Sequence, residues 1–143
     1  MRDQGATAKV VFGEVHATAK ALGASSKPEL QIIGQRLGVA LKAWTEATEW
    51  LAANAKTGLS GVLTAAVPYM HLAVTVCGGW FMGKAALVAS GYLDKGEGDT
   101  AFYKAKIASA CFYADQMLPQ ATSYGETVRA GDRALLGMGD ELF

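Results

Sequence analysis

Between Lys56 and Lys84 the chain runs from Thr57 to Gly83 without a single Asp, Glu, Lys or Arg. So long an uncharged stretch belongs inside a protein or inside a membrane. A surface helix would show a polar face at 3.6-residue spacing, and this one has almost none. Length alone permits a bilayer span, which takes roughly 20 apolar residues. However, Pro68, His71, Gly78, Gly79 and several threonines dilute the hydrophobicity, and no Leu/Ile/Phe-rich centre is present. The flanking segments are amphipathic and require something apolar to bury against. The stretch therefore reads as the central helix of an all-α domain, with the other helices packed round it, and not as a membrane span.

The flanks supply those other helices. Asp3 to Leu22 places Ala6, Val10, Phe12, Val15, Ala19 and Leu22 at approximate helical spacing and meets a stop at Gly23. Because this helix starts almost at Met1, the beginning reads as an expression boundary or an internal cut through a longer protein. Ser26 and Glu29 have capping-box spacing, with Pro28 tolerated in the first turn. From there Leu30, Leu37, Trp44 and Leu51 recur every seven residues, and Ile33, Leu41, Thr48 and Ala55 fill the turns between. Gln35, Arg36, Lys42, Glu46 and Glu49 lie off this stripe. That pattern predicts one long bundle helix, closed by Lys56-Thr57-Gly58.

The uncharged segment predicts a helix from about Thr64 to Leu93, so that Pro68 falls in its first turns. Lys95-Gly96-Glu97-Gly98-Asp99 is a turn, and Asp99 or Thr100 can cap the helix after it. That helix carries Phe102, Tyr103, Ile107, Ala110, Phe112, Tyr113, Met117 and Leu118, and Pro119 bends or ends it. A shorter helical stretch runs from Tyr124 to Leu136, and the tail from Gly137 to Phe143 is too rich in glycine to be regular. No segment alternates with period two. The expected fold is one domain over residues 1–143, an up-and-down bundle of four main helices with a short fifth.

With 143 residues, the chain suits a single core. Thirteen basic and thirteen acidic side chains cancel without a Lys/Arg run, so there is no electrostatic footprint for nucleic acid. Cys77 and Cys111 sit among apolar neighbours as small buried hydrophobes do, and the N-terminus lacks the layout of a signal peptide. A cytoplasmic protein is expected.

Several motifs have a chemical reading and a plainer one. Gly78 to Lys84 has phosphate-loop spacing, but the loop would hold Trp80, Phe81 and Met82, and Ala85 stands where Ser or Thr must hold magnesium. Glycines here are better explained by the close approach of a neighbouring helix. Gly137-Met138-Gly139 is half a dinucleotide fingerprint with almost no chain after it. His16 and His71 are the only histidines, and neither follows a Glu by three residues, so no di-metal carboxylate site is expected. Glu14 and His16 fall on different helix faces. His71 reads as a hydrogen-bonded core histidine. Cys77 lies six residues from His71, on an opposed face, which argues against a nucleophile–base pair. Trp44, Trp50 and Trp80 and the pairs 102–103 and 112–113 read as packing aromatics rather than a cofactor groove. The residues alone show a helical domain with no catalytic, cofactor-binding or metal-binding group.

Pro68-Tyr69-Met70-His71-Leu72, then Gly78-Gly79-Trp80-Phe81-Met82, then Phe102 to Tyr113, and finally Leu118-Pro119 resemble the extra C-terminal domain of a branch of the acyl-CoA dehydrogenases. That branch includes the fatty-acyl and 3-methylmercaptopropionyl-CoA dehydrogenases. The closing Leu142-Phe143 also looks like that family's chain end, and the resemblance covers Leu30 to Phe143. It implies a parent flavoenzyme in which FAD accepts a β-hydride and a glutamate the α-proton of an acyl-CoA thioester. Both lie in a preceding core that this chain lacks, so no catalytic residue carries over. The resemblance implies core or interface roles for Tyr69, Trp80, Phe102, Tyr103, Lys106, Phe112, Tyr113 and Pro119. Its partners would be the dehydrogenase core of the same polypeptide and further copies in a homo-oligomer, with acyl-CoA met only through the parent. Lys104 and Lys106 could face a CoA phosphate, although solvated helix lysines explain them more readily. The alternative is a free-standing bundle that encloses a small apolar ligand or acts as a homodimeric scaffold.

Overall fold

The computed structural model describes residues 6–56 and 59–133. It contains six helices: α1 (Ala6–Gly23), α2 (Pro28–Asn54), α3 (Leu59–Thr64), α4 (Ala66–Lys95), α5 (Thr100–Gln116) and α6 (Gln120–Ala130), with no strand among the described residues. The all-α reading holds, and the six pieces make four rods. α3 leads into α4, with the Ala65 amide bonded to the Gly61 carbonyl and the Tyr69 amide to the Ala65 carbonyl. α5 and α6 join at Pro119, which ends one and opens the other.

Cross-helix contacts set the directions. Lys27 at the start of α2 meets Ser90 and Asp94 at the end of α4, while Thr48 late in α2 meets Tyr69 early in α4. The two rods are antiparallel. Tyr103 stacks on Tyr92, Tyr113 bonds Thr75 and Tyr124 stacks on His71, so the α5–α6 rod runs back along α4. α1 doubles back on α2, since Phe12 meets Trp44 and Gly34 meets Leu22. This is the expected up-and-down arrangement.

The core follows the α2 stripe. Leu30, Ile33, Leu37, Leu41, Trp44, Thr48 and Leu51 are buried, against Val15, Ala19 and Leu22 of α1, Leu72, Val76, Ala86 and Ala89 of α4, and Leu118 and Val128. Each fully buried Leu or Ile contributes roughly 1.5–3 kcal/mol relative to exposure. A Cβ on Gly34 would sit 2.7 Å from the Ala19 carbonyl oxygen and 2.8 Å from the Gly23 amide nitrogen. α1 and α2 therefore touch backbone to backbone, which only glycine allows here. The α4 glycines instead make room for side chains of neighbouring helices: Gly79 lies under Leu118, Gly83 under Leu22 and Gly78 under the Tyr113 ring. The phosphate-loop spacing is thus a helix interior.

Several expectations are corrected. Lys27, not Ser26, caps α2, and no side chain closes a capping box; instead the Ser25 hydroxyl accepts from the Lys27 amide at 3.2 Å. α6 begins four residues before Tyr124 and ends at Ala130, because Pro119 resets the helix at once. The expected start at Asp3, the end of the last helix at Leu135 and Leu136, and the tail from Gly137 lie outside the described residues. Asp99 does cap α5, accepting from Ala101 and Phe102, and Gly96 closes α4 in the left-handed conformation at φ 68°.

The largest correction concerns the uncharged segment. Helix α4 packs on α1, α2, α5 and α6, but it is not surrounded. Val67, Val74, Phe81 and Val88 are 61, 65, 61 and 60% exposed, and Leu63 and Met70 extend the same face. By length and composition α4 could cross a bilayer, and only 39% of its most apolar window is buried. Its inner face, with Leu72, Thr75, Val76, Gly79, Gly83, Ala86, Ala89 and Ser90, is built into the bundle core.

Candidate functional site

The eight positions singled out from the sequence divide into two groups. Tyr69, Trp80 and Tyr113 are half-buried, and each puts its polar tip on another helix. The Tyr69 and Thr48 hydroxyls lie 2.8 Å apart, joining α4 to α2. The Trp80 indole N–H donates to the Thr18 hydroxyl at 2.9 Å, joining α4 to α1. The Tyr113 hydroxyl donates to the Thr75 carbonyl at 3.1 Å, joining α5 to α4. An aromatic ring supplies buried apolar area while its one polar atom finds a partner, which suits such struts. Burial and then the neighbouring Cys77 push the Tyr113 phenol up, so it remains a donor.

Phe102, Tyr103, Lys106, Phe112 and Pro119 form the second group, on the outer side of α5 and its corner. Phe102, Phe112, Lys106 and Pro119 are exposed. Tyr103 stacks flat on Tyr92 at 4.9 Å and meets Phe102 edge-on at 5.5 Å. The Lys106 ammonium sits 5.2 Å from the Phe102 ring, and that of Lys84 sits 4.9 Å from Trp80. Lys84, Ala85, Val88, Phe102, Tyr103 and Lys106 border an open apolar cleft of about 290 Å³ between α4 and α5. This cleft continues the exposed face of α4. Together they form the most distinctive surface of the molecule, an apolar face with two ammonium groups at one end.

Lys104 and Lys106 do not converge. Lys104 borders a different cleft, of about 390 Å³, with Lys27, Glu29, Leu93 and Ile107. Two residues along a helix turn side chains about 200° apart, so the pair cannot grip one phosphate. His71 is exposed and stacks on Tyr124 at 5.5 Å, which corrects its reading as a core histidine. Cys77 and Cys111 are free and half-buried rather than fully buried. Burial pushes both thiols up, Cys111 further through Glu29 and Asp115, so neither offers a thiolate nucleophile at neutral pH. Among the described residues no three His, Cys, Asp or Glu gather as a metal site.

Sequence reasoning missed the polar partners. Thr18, Thr48 and Thr75 are all buried and receive the struts, the first two with their hydroxyls and Thr75 with its backbone carbonyl, yet a lone residue in an apolar stripe carries no signal of what it meets. Two further ties also went unread: Lys27 bonds Asp94 at 2.6 Å and Ser90 at 2.7 Å, and Arg129 of α6 pairs with Glu46 of α2. Their partners lie more than 60 residues apart, beyond any local pattern.

Comparison with known proteins places this architecture. Residues 11–139 match the family described as acetyl-CoA dehydrogenase C-terminal like. The chain is 32% identical over 136 residues to a 3-methylmercaptopropionyl-CoA dehydrogenase of Ruegeria pomeroyi. That alignment covers 94% of this chain but 23% of the relative. The chain thus spans less than a quarter of the length of the curated relative it matches.

Proposed function

Because this chain belongs to the acetyl-CoA dehydrogenase C-terminal-like family, we propose that it is the accessory helical domain of a larger flavin-dependent acyl-CoA dehydrogenase. In that reading the parent enzyme performs α,β-dehydrogenation of an acyl-CoA thioester, and this domain buttresses its core, contributes to subunit contacts or borders the substrate entrance. The observation that carries the proposal is the match to 23% of a dehydrogenase's length, joined to an exposed apolar face on α4 and α5. Monomeric proteins rarely leave a large contiguous apolar surface uncovered.

In the parent, bound FAD would supply the acceptor for the hydride. The described residues of this domain do not fit that group. Their clefts, of about 290, 390 and 500 Å³, are open grooves, and the two α5 lysines, Lys104 and Lys106, open on different ones and so cannot hold one pyrophosphate together. No step of the dehydrogenation is therefore assigned to a residue here. What these residues do is mechanical: Tyr69, Trp80 and Tyr113 lock α4 to three other helices and so present its outer face rigidly. The free cysteines suit the reducing cytoplasm, where we place the protein. A homo-oligomeric parent is part of the same proposal.

The coding sequence upstream of Met1 tests the reading. In-frame continuation into a flavin-binding dehydrogenase core supports it, whereas a stop codon and ribosome-binding site just upstream overturn it. A second measurement is flavin content. The purified chain is expected to show no absorbance near 450 nm after incubation with excess FAD. Stoichiometric flavin together with acyl-CoA oxidation by this chain alone would sink the accessory-domain role.

A further inference from the structure

We propose that the outer face of α4 is a helix-pairing seam whose occupant is a second copy of this chain, lying antiparallel across a two-fold axis between Cys77 and Gly78. The inference names the partner and register of the subunit-contact role proposed above. It does not depend on the dehydrogenase chemistry.

Three observations carry it. The first is the period. Val67, Val74, Phe81 and Val88 recur every seven residues, with Leu63 and Met70 at the intervening four- and three-residue steps, and all six are exposed. That is the spacing of a stripe made to interdigitate with another helix, which a flat partner would not require.

The second observation is that the stripe reads alike in both directions. Reversed about its midpoint, Leu63 lies opposite Tyr92, Val67 opposite Val88, Met70 opposite Ala85 and Val74 opposite Phe81. Every apolar member meets an apolar member, and Lys84 falls opposite His71 rather than opposite itself. Of the residues at the dyad, Gly78 is covered by the Tyr113 ring, so the closest approach falls on the side of the small, half-buried Cys77. A two-fold interface requires this self-complementarity, because each patch must fit its own copy.

The third is area. The uncovered parts of Leu63, Val67, Met70, Val74, Phe81, Val88 and Tyr92 amount to roughly 700 Å² per copy, close to the ~800 Å² per partner that a standard stable interface removes from solvent. Leu63 is 66% and Tyr92 40% exposed, so the seam spans nearly the whole α3–α4 rod.

The experiment is light scattering on the purified chain across a concentration series, followed by directed cross-linking. A dimer at micromolar concentration is expected. The double variant Val74→Glu/Phe81→Glu should run as a monomer with an unchanged helical circular-dichroism spectrum, since both side chains already face solvent. Val39→Glu, on an exposed position of α2, is the control and should remain dimeric. If the glutamate variants lose helicity, the cross-linking decides. In a Cys77→Ala/Cys111→Ala background, chains carrying V74C should form disulfides with chains carrying F81C. V74C should not link to itself, because antiparallel copies hold those positions about 10 Å apart along the axis. V74C self-linking, or no mixed disulfide, overturns the register. A chain that stays monomeric at 100 μM, whether free or bound to phosphatidylcholine vesicles, overturns the seam and leaves the accessory-domain reading to be judged by the upstream coding sequence.

Discussion

Two long helices in this protein carry apolar residues at seven-residue intervals, with opposite outcomes. On α2 the series Leu30, Leu37, Trp44, Leu51 is buried under α1, α4 and α6; on α4 the series Val67, Val74, Phe81, Val88 faces solvent. Periodicity announces that a helix has a face for packing. It does not say whether the partner belongs to the same chain. Helix α2 meets its partners in α1, α4, α5 and α6 of the same chain, while the outer face of α4 is left over once four rods have closed the core.

The contrast can be broken most directly at Leu37. Leu37→Ala should destabilise the fold by about 2–5 kcal/mol, because its site is sealed and the cavity cannot collapse fully. Urea unfolding followed by circular dichroism checks this. A loss below 1 kcal/mol would mean the α2 stripe is no more committed than that of α4. Gly34→Ala comes next, at about 1–3 kcal/mol, since the new methyl meets backbone atoms of α1 that cannot rotate away. The same titration reads it, and a neutral result would show that the two helices slide apart freely.

Tyr69→Phe tests the tie between the two stripes. Removing the hydroxyl should cost about 0.5–1 kcal/mol in thermal or urea melts, because Thr48 keeps its 2.8 Å bond to the Trp44 carbonyl. Val74→Ala should change the monomer's stability by less than about 0.5 kcal/mol. That value, set against Leu37→Ala, measures the comparison itself. The smallest effect concerns Cys77, on the shoulder of the exposed stripe. Its raised thiol should alkylate more slowly than free cysteine at pH 7, with the rate still climbing at pH above the ordinary thiol range. Iodoacetamide labelling followed by mass spectrometry reads this, and a rate equal to that of the unfolded chain would refute the half-buried placement.

Most of the fold was legible because long helices announce themselves. The α2 stripe, Pro28 at its head, the Asp99 cap and the break at Pro119 are local signals that sit where the sequence put them, and the turn read over Lys95 to Asp99 starts one residue later, at the Gly96 cap. Contacts between distant residues were not legible. Nothing near His71 shows that it will stack on Tyr124 at the surface, and nothing near Gly34 shows that α1 will press its backbone there. The same limit applied to the surface. Tyr69, Trp80, Phe102 and Phe112 were all found as aromatic positions, but only the assembled helices separate those that tie the bundle from those that face outward.

Trp44 sits edge-on to Phe12 at 4.8 Å, and its indole N–H is sealed from solvent with no hydrogen-bond acceptor among the described residues. An excited indole lowers its energy by reorienting nearby dipoles, and in this apolar slot few are free to turn. Trp44 will therefore emit at shorter wavelength than Trp80, whose N–H is bonded to Thr18 beside the Lys84 ammonium. Within the protein's fluorescence, Trp44 thus gauges the α1–α2 junction and Trp80 the α1–α4 junction.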